Sequence, residues 1–342
     1  MEGHPVVSVI VVTRNRREDV REAIESVRLQ SHVHVEVVVV DNGSSDGTPQ
    51  MIKESFGDVR LVELDWNSGP YHGRNVGVDA SKGDVLFFLD DDATLEKGSI
   101  ARIVERFSLE KSLGVIICKL IDARTGEMDS RLLSSVVTNP DGECYLGDMV
   151  AEGATAIRRS VFEQVGRWPA HYFRQYVGRD LSYRIIDAGY NIIYFPAATV
   201  YHKESPIGGL SRGQIEREKM FYAVRNQLWI AWKYLPLYRA ALESVIKICY
   251  HFGEALRKGA LGPFLRGLGS AALTVPRIVL KERRPVSRKA LAKIDYLAYG
   301  GAITQREMLE SFSPLSLRAL LWRRLFTLKA RSGATKSTKE TR

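Results

Sequence analysis

Cysteine is scarce in this chain. Among 342 residues there are three, Cys118, Cys144 and Cys249. They are widely spaced and odd in number, so they suggest neither a metal knuckle nor a disulfide framework. A reducing compartment fits that usage. Long hydrophobic runs are missing too. The most apolar late stretch, Gly262 to Leu280, is broken by Arg266, Pro276 and Arg277. It falls short of the roughly 20 apolar residues that a spanning helix needs. The opening Met1-Glu-Gly-His-Pro5 has no basic segment and no small-residue cleavage site, so no signal peptide is expected. Neither the dinucleotide fingerprint nor the phosphate-loop motif occurs, which argues against a dehydrogenase or an ATPase. No aromatic-basic RNA motif or helix-turn-helix pattern occurs either, and no nucleic-acid partner is expected.

What is present is an ordinary globular composition with an uneven charge. The net charge is +9. From Arg225 to Arg342 there are 23 Lys+Arg against 7 Asp+Glu, a net +16, which leaves −7 for residues 1–224. A basic back half of this kind suits something anionic, such as a membrane surface or a lipid-phosphate acceptor. Its segments Leu237 to Lys258, Ala290 to Tyr299 and Leu315 to Leu328 mix Lys and Arg with apolar residues. They read as interfacial helices, or alternatively as a bundle covering the sheet or a homo-oligomer contact. The tail from Lys329 reads as disordered.

The front half alternates strands and helices. Val6 to Val12, Val35 to Val40, Val59 to Leu64, Val85 to Leu89 and Val115 to Ile121 are apolar, β-branched runs that read as buried strands. Glu18 to Leu29, Arg74 to Ala80 and Ser99 to Phe107 read as helices, and Thr48 as the cap of another. Ala156 to Val165, Asp180 to Ala188 and Glu216 to Tyr234 extend the helical set, and Ile192 to Phe195 is a strand closed by Pro196. The pattern predicts an α/β fold with a mostly parallel sheet flanked by helices. Ligands in such sheets bind beyond the carboxyl ends of the strands.

Acidic clusters sit at those ends. Asp90-Asp-Asp92 follows the fourth strand. Three adjacent carboxylates repel one another unless a cation or a ring of donors offsets them. Asp90 and Asp92, two apart, leave the strand tip in one general direction and could hold Mg²⁺ or Mn²⁺ against substrate phosphates. A solvated acidic turn is the plainer reading. Asp41 opens the cluster Asp41-Asn-Gly-Ser-Ser-Asp-Gly47 and could accept from a nucleobase edge or a ribose; an Asx-rich turn explains the same residues. Asn67-Ser-Gly-Pro-Tyr-His-Gly-Arg-Asn-Val-Gly77 is a glycine-rich loop leading into a helix, where Arg74 near the helix start could face a diphosphate.

Taken in order, Val7-Ser-Val-Ile-Val-Val-Thr-Arg-Asn15, the Asp41 cluster, Asn67…Gly69…Gly73-Arg-Asn-Val-Gly77 and Phe88-Leu-Asp-Asp-Asp-Ala93 resemble the family 2 glycosyltransferases of GT-A fold, especially rhamnosyltransferase-like and cell-surface polysaccharide enzymes. The resemblance covers about residues 5–235. It implies a Rossmann-like GT-A transferase domain over 1–234, with a nucleotide half to 122 and an acceptor half beyond. A basic helical extension follows over 235–328, then the tail at 329–342. It implies a nucleotide-diphosphate sugar donor, a glycan or lipid-linked acceptor and an inverting reaction. The cysteine usage and the basic back half point to a cytoplasmic enzyme, peripheral on the inner membrane face where that half binds lipid. Thr13, Arg14, Asn15 and Asp41 would line the nucleotide pocket, with Asn67, Gly69 and Arg74 beside it. Asp90 and Asp91 would face ribose and phosphate. Asp92, with Asp90 and His202, would ligate Mg²⁺ or Mn²⁺. Glu152 falls in the acceptor segment, and Arg212 in a basic stretch that could cover the diphosphate.

One departure stands out. Where the family shows Glu-Asp-x-Asp-Leu-x-x-Arg, this chain has Val177-Gly-Arg-Asp-Leu-Ser-Tyr-Arg184. Gly178 holds the place of the general base. Asp180 is the nearest carboxylate and the candidate base, with Asp148 and Glu152 as rivals. A nucleotide-sugar-binding partner without activity is the alternative function.

Overall fold

Val6–Thr13 (β1) is apolar apart from Ser8 and its terminal Thr13, and a run of that kind is stable only when both faces are covered. The structure is a computed structural model that describes residues 5–31, 33–128, 141–147, 150–203 and 212–299. From β1 the chain continues as α1 (Arg17–Arg28), β2 (His34–Asp41), α2 (Thr48–Ser55), β3 (Arg60–Glu63), α3 (Pro70–Asp79), β4 (Val85–Asp90), β5 (Ala93–Leu95), α4 (Ser99–Leu109) and β6 (Leu113–Asp122). Then come β7 (Cys144–Tyr145), β8 (Ala154–Arg158), α5 (Arg159–Val165), α6 (Val177–Asp187), β9 (Asn191–His202), α7 (Arg212–Tyr234), α8 (Leu237–Lys258), α9 (Leu261–Arg277) and α10 (Arg288–Tyr299).

One sheet runs β3-β2-β1-β4-β8-β6-β9-β5, with β7 paired to β9. Its first four strands are parallel, as are β6 and β9. Strand β8 is antiparallel to both β4 and β6, and β5 and β7 are antiparallel to β9. The fold is therefore the expected α/β sheet flanked by helices, parallel from β3 to β4 and mixed beyond β4. Side chains alternate between two cores. Val7, Val9 and Val11 join Val39, Phe87 and Leu89 on one face. Ile10 joins Val38, Leu86 and Phe88 on the other.

Three local expectations change. The segment from Ala156, expected as one helix, begins as strand β8. Its small residues slot between β4 and β6, and two flanking ladders outweigh local propensity. Strand β9 does not stop at Phe195. Pairing with β6 skips from Cys118–Phe195 to Lys119–Thr199, so Pro196, Ala197 and Ala198 bulge out and the strand runs on to His202. Thr48 is not a cap but the first residue of α2; Asp46 Oδ1 accepts from its N–H at 3.1 Å.

Helices α7, α8 and α9 share a third, small core of Met220, Val224, Leu228, Phe264 and Ala271. The basic extension does not stand apart from the sheet, because α10 turns back onto it. Ala290, Leu291 and Ile294 join one sheet-face core, and a buried Arg239–Asp295 ion pair fastens α10 to α8. The expected helix Leu315 to Leu328 and the tail lie outside the described residues.

Candidate active site

Register brings the two acidic motifs together. Thr13 at the end of β1 lies opposite Asp41 on β2, and Val12 lies opposite Asp90 on β4. Both carboxylates thus stand at the carboxyl edge of the parallel strands that flank β1. Asp41 is buried. Its Oδ2 accepts from Ser44 N–H at 2.9 Å, while its Oδ1 is buried without a hydrogen-bond partner. A buried acceptor of that kind is stabilised only when a donor arrives. Asn15, at φ 53°, accepts from Ser45 N–H at 2.7 Å and so anchors the same loop, whereas Arg14 is exposed. Asn42 and Asn67 brace the neighbouring loop: Asn42 Nδ2 donates to Asn67 Oδ1 at 3.1 Å, which also accepts from Gly69 N–H.

Past Asp90 the chain turns through Asp91 and Asp92 into β5, whose Ala93 pairs with His202 of β9. The bulge at Pro196 is what carries His202 this far. Its Nε2 lies 3.1 Å from Asp92 Oδ1. One ligand atom from each of Asp90, Asp92 and His202 falls within 4.8 Å of the others. Two carboxylates and an imidazole suit a hard or borderline divalent cation, so the donor set fits the expected Mg²⁺ or Mn²⁺.

The negative charge of the triplet is partly balanced. Arg16 Nη1 sits 2.8 Å from Asp91 Oδ1 and 3.0 Å from Asp92 Oδ2. Arg74 Nη2 sits 2.7 Å from Asp90 Oδ1. Burial pushes the Asp91 carboxyl up to about 6; Arg16 opposes the rise, and Asp92 and Asp90 add to it. Arg74, expected near a helix start facing a diphosphate, is four residues into α3. It is buried on the second turn of α3, stacked near Tyr71 and Trp168, and holds Asp90 from below. Gly73 and Gly77, four apart on one face of α3, let that helix approach β1. A Cβ there would meet Val12 Cγ1 at 2.7 Å and Ile10 Cγ2 at 2.5 Å. The glycine spacing thus serves helix–sheet packing.

Asp180 does not fit the role of base. It is fully buried. Arg184 approaches at 2.8 Å and Lys233 at 3.2 Å, and Tyr172 and Tyr234 donate hydroxyls at 2.9 and 2.8 Å. Burial raises its pKa, but these partners outweigh that and hold it below the usual carboxylate range. A carboxylate so enclosed reaches no acceptor hydroxyl. Gly178 marks another constraint: a Cβ there would lie 2.0 Å from the Val150 carbonyl oxygen. Its N–H donates instead to Glu152 Oε1 at 3.3 Å. Burial raises the Glu152 pKa, eased by the Tyr71 hydroxyl and Arg74. Next to it, Gly153 lies hard against Asp90, where a Cβ would meet Oδ2 at 1.9 Å. Arg212 opens α7, but its side chain is outside the described residues, as is Asp148.

Residues 8–166 match the family model described as glycosyl transferase family 2. These residues are a family 2 glycosyltransferase domain. Over 261 residues the chain is 25% identical to glycosyltransferase AglE of Haloferax volcanii, covering 68% of this chain and 82% of AglE. It is 40% identical over 104 residues to the succinoglycan biosynthesis protein ExoO of Rhizobium meliloti, but spans only 30% of that relative's length. The fold is that of a mannosyltransferase from Pyrobaculum calidifontis solved with GDP-Man and Mn²⁺, with TM-score 0.54, 19% identity, and coverage of 100% of this chain and 89% of that one. S. aureus TarS 1-349 gives TM-score 0.54 at 17% identity, covering 85% and 86%. The matched span ends close to α5, and α6 and β9, which bring in Asp180 and His202, lie beyond it although β9 belongs to the same sheet.

Arg16 escaped the sequence reading. It is one of three arginines in Thr13-Arg-Asn-Arg-Arg17, and nothing in their order says which one turns toward the triplet. Tyr71 and Trp168 were missed as well, because the aromatic floor under Arg74 joins α3 to the segment after α5, distant in sequence.

Proposed function

We propose that the family 2 domain moves a sugar from a nucleoside-diphosphate donor to a hydroxyl of a glycan or lipid-linked acceptor, with inversion, during synthesis of a cell-surface glycan. The observation that carries this reading is the placing, at the strand ends on either side of β1, of Asp41 with its unpartnered oxygen and the Asp90–Asp92–His202 donor set. A relative concerned with succinoglycan biosynthesis and a structural neighbour holding GDP-Man and Mn²⁺ agree with it.

Asp41 Oδ1 would accept from the nucleobase or ribose, and the braced loop at Asn42, Asn67 and Gly69 would form the wall beside it. Asp90, Asp92 and His202 would hold the divalent ion, a Lewis acid that offsets charge on the departing diphosphate. Arg16 and Arg74 keep the carboxylates aimed by balancing their repulsion. Glu152 would act as the base, a role supported by its raised pKa and by its place next to Gly153, which lies against Asp90. The acceptor oxygen attacks the anomeric carbon, its proton passes to Glu152, and the bond from that carbon to the diphosphate oxygen breaks. Glu152→Gln should lower kcat by about 10²–10⁴-fold while the Kd for nucleoside diphosphate with Mn²⁺ stays unchanged. Unaltered turnover in that variant would remove Glu152 from the chemistry.

The second reading, a donor-binding subunit without activity, is favoured by Gly178 alone. Nucleotide binding with neither transfer nor donor hydrolysis by the unaltered chain would establish it. No stabilisation by any nucleoside diphosphate, with or without Mn²⁺, in a thermal-shift panel would overturn both.

A further inference from the structure

Ten of the fifteen large hydrophobic side chains exposed among the described residues lie between Leu237 and Leu280. Their spacing is regular. On α8, Tyr238, Ala241, Val245, Cys249, Phe252 and Leu256 recur every three or four residues and are all exposed. No charged residue interrupts that stripe. The opposite side of α8, with Ala240, Ser244, His251 and Ala255, is buried. On α9, Leu261, Leu265, Ala272, Pro276 and Leu280 just beyond its end form a second exposed stripe, and Leu273 beside it is 84% exposed. Exposed Arg266 and Arg277 border that stripe on one edge. The two helices pack together, with Phe252 and Phe264 rings 5.8 Å apart, so their stripes belong to one unit.

Two apolar stripes on neighbouring helices are far more than the isolated exposed leucines normal on soluble surfaces. Charge selects the occupant. Residues 237–284 carry nine Lys or Arg against three Glu. Two copies of this face would bring like charges together. A bilayer with anionic headgroups offers the opposite sign beside an apolar interior, and bordering arginines can reach its phosphates while their stems stay with the acyl chains. No helix among the described residues is long and apolar enough to cross a membrane, so the contact is in-plane.

We propose that α8 and α9 form a face that docks onto an anionic lipid surface, burying both apolar stripes in the headgroup boundary. Helix α7 packs on this unit and also reaches the active-site side. Asn226 donates to the carbonyl of Gln175 at 2.9 Å, and Phe173 of the same turn lies against Gly69. Docking would therefore fix how the site faces the membrane. The proposal stands independently of the transfer reading, since its test reads lipid partition and not turnover.

The full chain is floated with vesicles of phosphatidylcholine alone or mixed with phosphatidylglycerol. It should float with the mixed vesicles, less so at high salt. Val245→Glu with Leu265→Glu, and separately Arg266→Glu with Arg277→Glu, should each reduce flotation by about tenfold or more. All four side chains are exposed, so Tm should stay put and show that the fold is intact. Three results would overturn the proposal: no flotation with mixed vesicles, variants that float like the parent, or a concentration-dependent dimer that the Val245→Glu/Leu265→Glu pair dissolves.

Discussion

Asp180→Asn separates a structural carboxylate from a catalytic one. The substitution keeps the shape of the side chain and removes its charge. In the native fold that charge faces Arg184 at 2.8 Å and Lys233 at 3.2 Å, both mostly buried, and accepts from Tyr172 and Tyr234. The variant leaves two cations without their anion, and breaking a buried pair this way costs about 3–5 kcal/mol. For a chain of this size that corresponds to a fall in Tm of about 10 °C. Urea and thermal unfolding should show the loss, with turnover per folded molecule largely kept at low temperature. The acid limb should change as well. Because the folded carboxyl titrates below its ordinary value, its contribution is complete above about pH 4 and fades as pH falls through the lower folded value. In the asparagine variant that part of the acid limb should be flat. A variant with unchanged Tm and no transfer would refute the structural role and make Asp180 the base after all.

Further perturbations test the same geometry. Gly153→Ala places a Cβ on Asp90 Oδ2 and should weaken Mn²⁺-dependent nucleotide binding by at least about tenfold in calorimetric titration, while Tm changes little. Gly178→Asp restores the family's carboxylate but drives its Cβ into the Val150 carbonyl. It should destabilise by about 1–3 kcal/mol and fail to raise transfer; a faster enzyme would contradict the steric reading. Arg16→Ala leaves Asp91 and Asp92 unbalanced and should lower metal-free stability, with part of the loss recovered when Mn²⁺ is added; thermal shifts with and without the ion would check this. His251 is held neutral by burial, at about 4 against an ordinary 6.5. The unfolded chain therefore takes up its proton first, so stability should be complete above pH 6.5 and fall by about 3 kcal/mol toward pH 4, and His251→Gln should flatten that slope in urea titrations.

Residue pattern alone was enough for the parallel half of the sheet and the contents of its edge. A continuous β-branched run such as Val6–Thr13 has no alternative to a strand buried on both faces, and a carboxylate placed where such a run stops is fixed at a strand tip by period alone. Asp41 and Asp90 were legible for that reason. Tertiary structure decided the rest. Whether Ala154–Arg158 is helix or strand depends on two neighbouring strands, not on its own residues. His202 reaches Asp92 only because three residues bulge at Pro196. Asp180 looks like a base along the chain and becomes a buried counterion once Lys233 and Tyr234 fold over it from α7. Local periodicity fixes which way a side chain points. Its charge state, its partners and its access to substrate are set by groups that arrive from elsewhere in the chain.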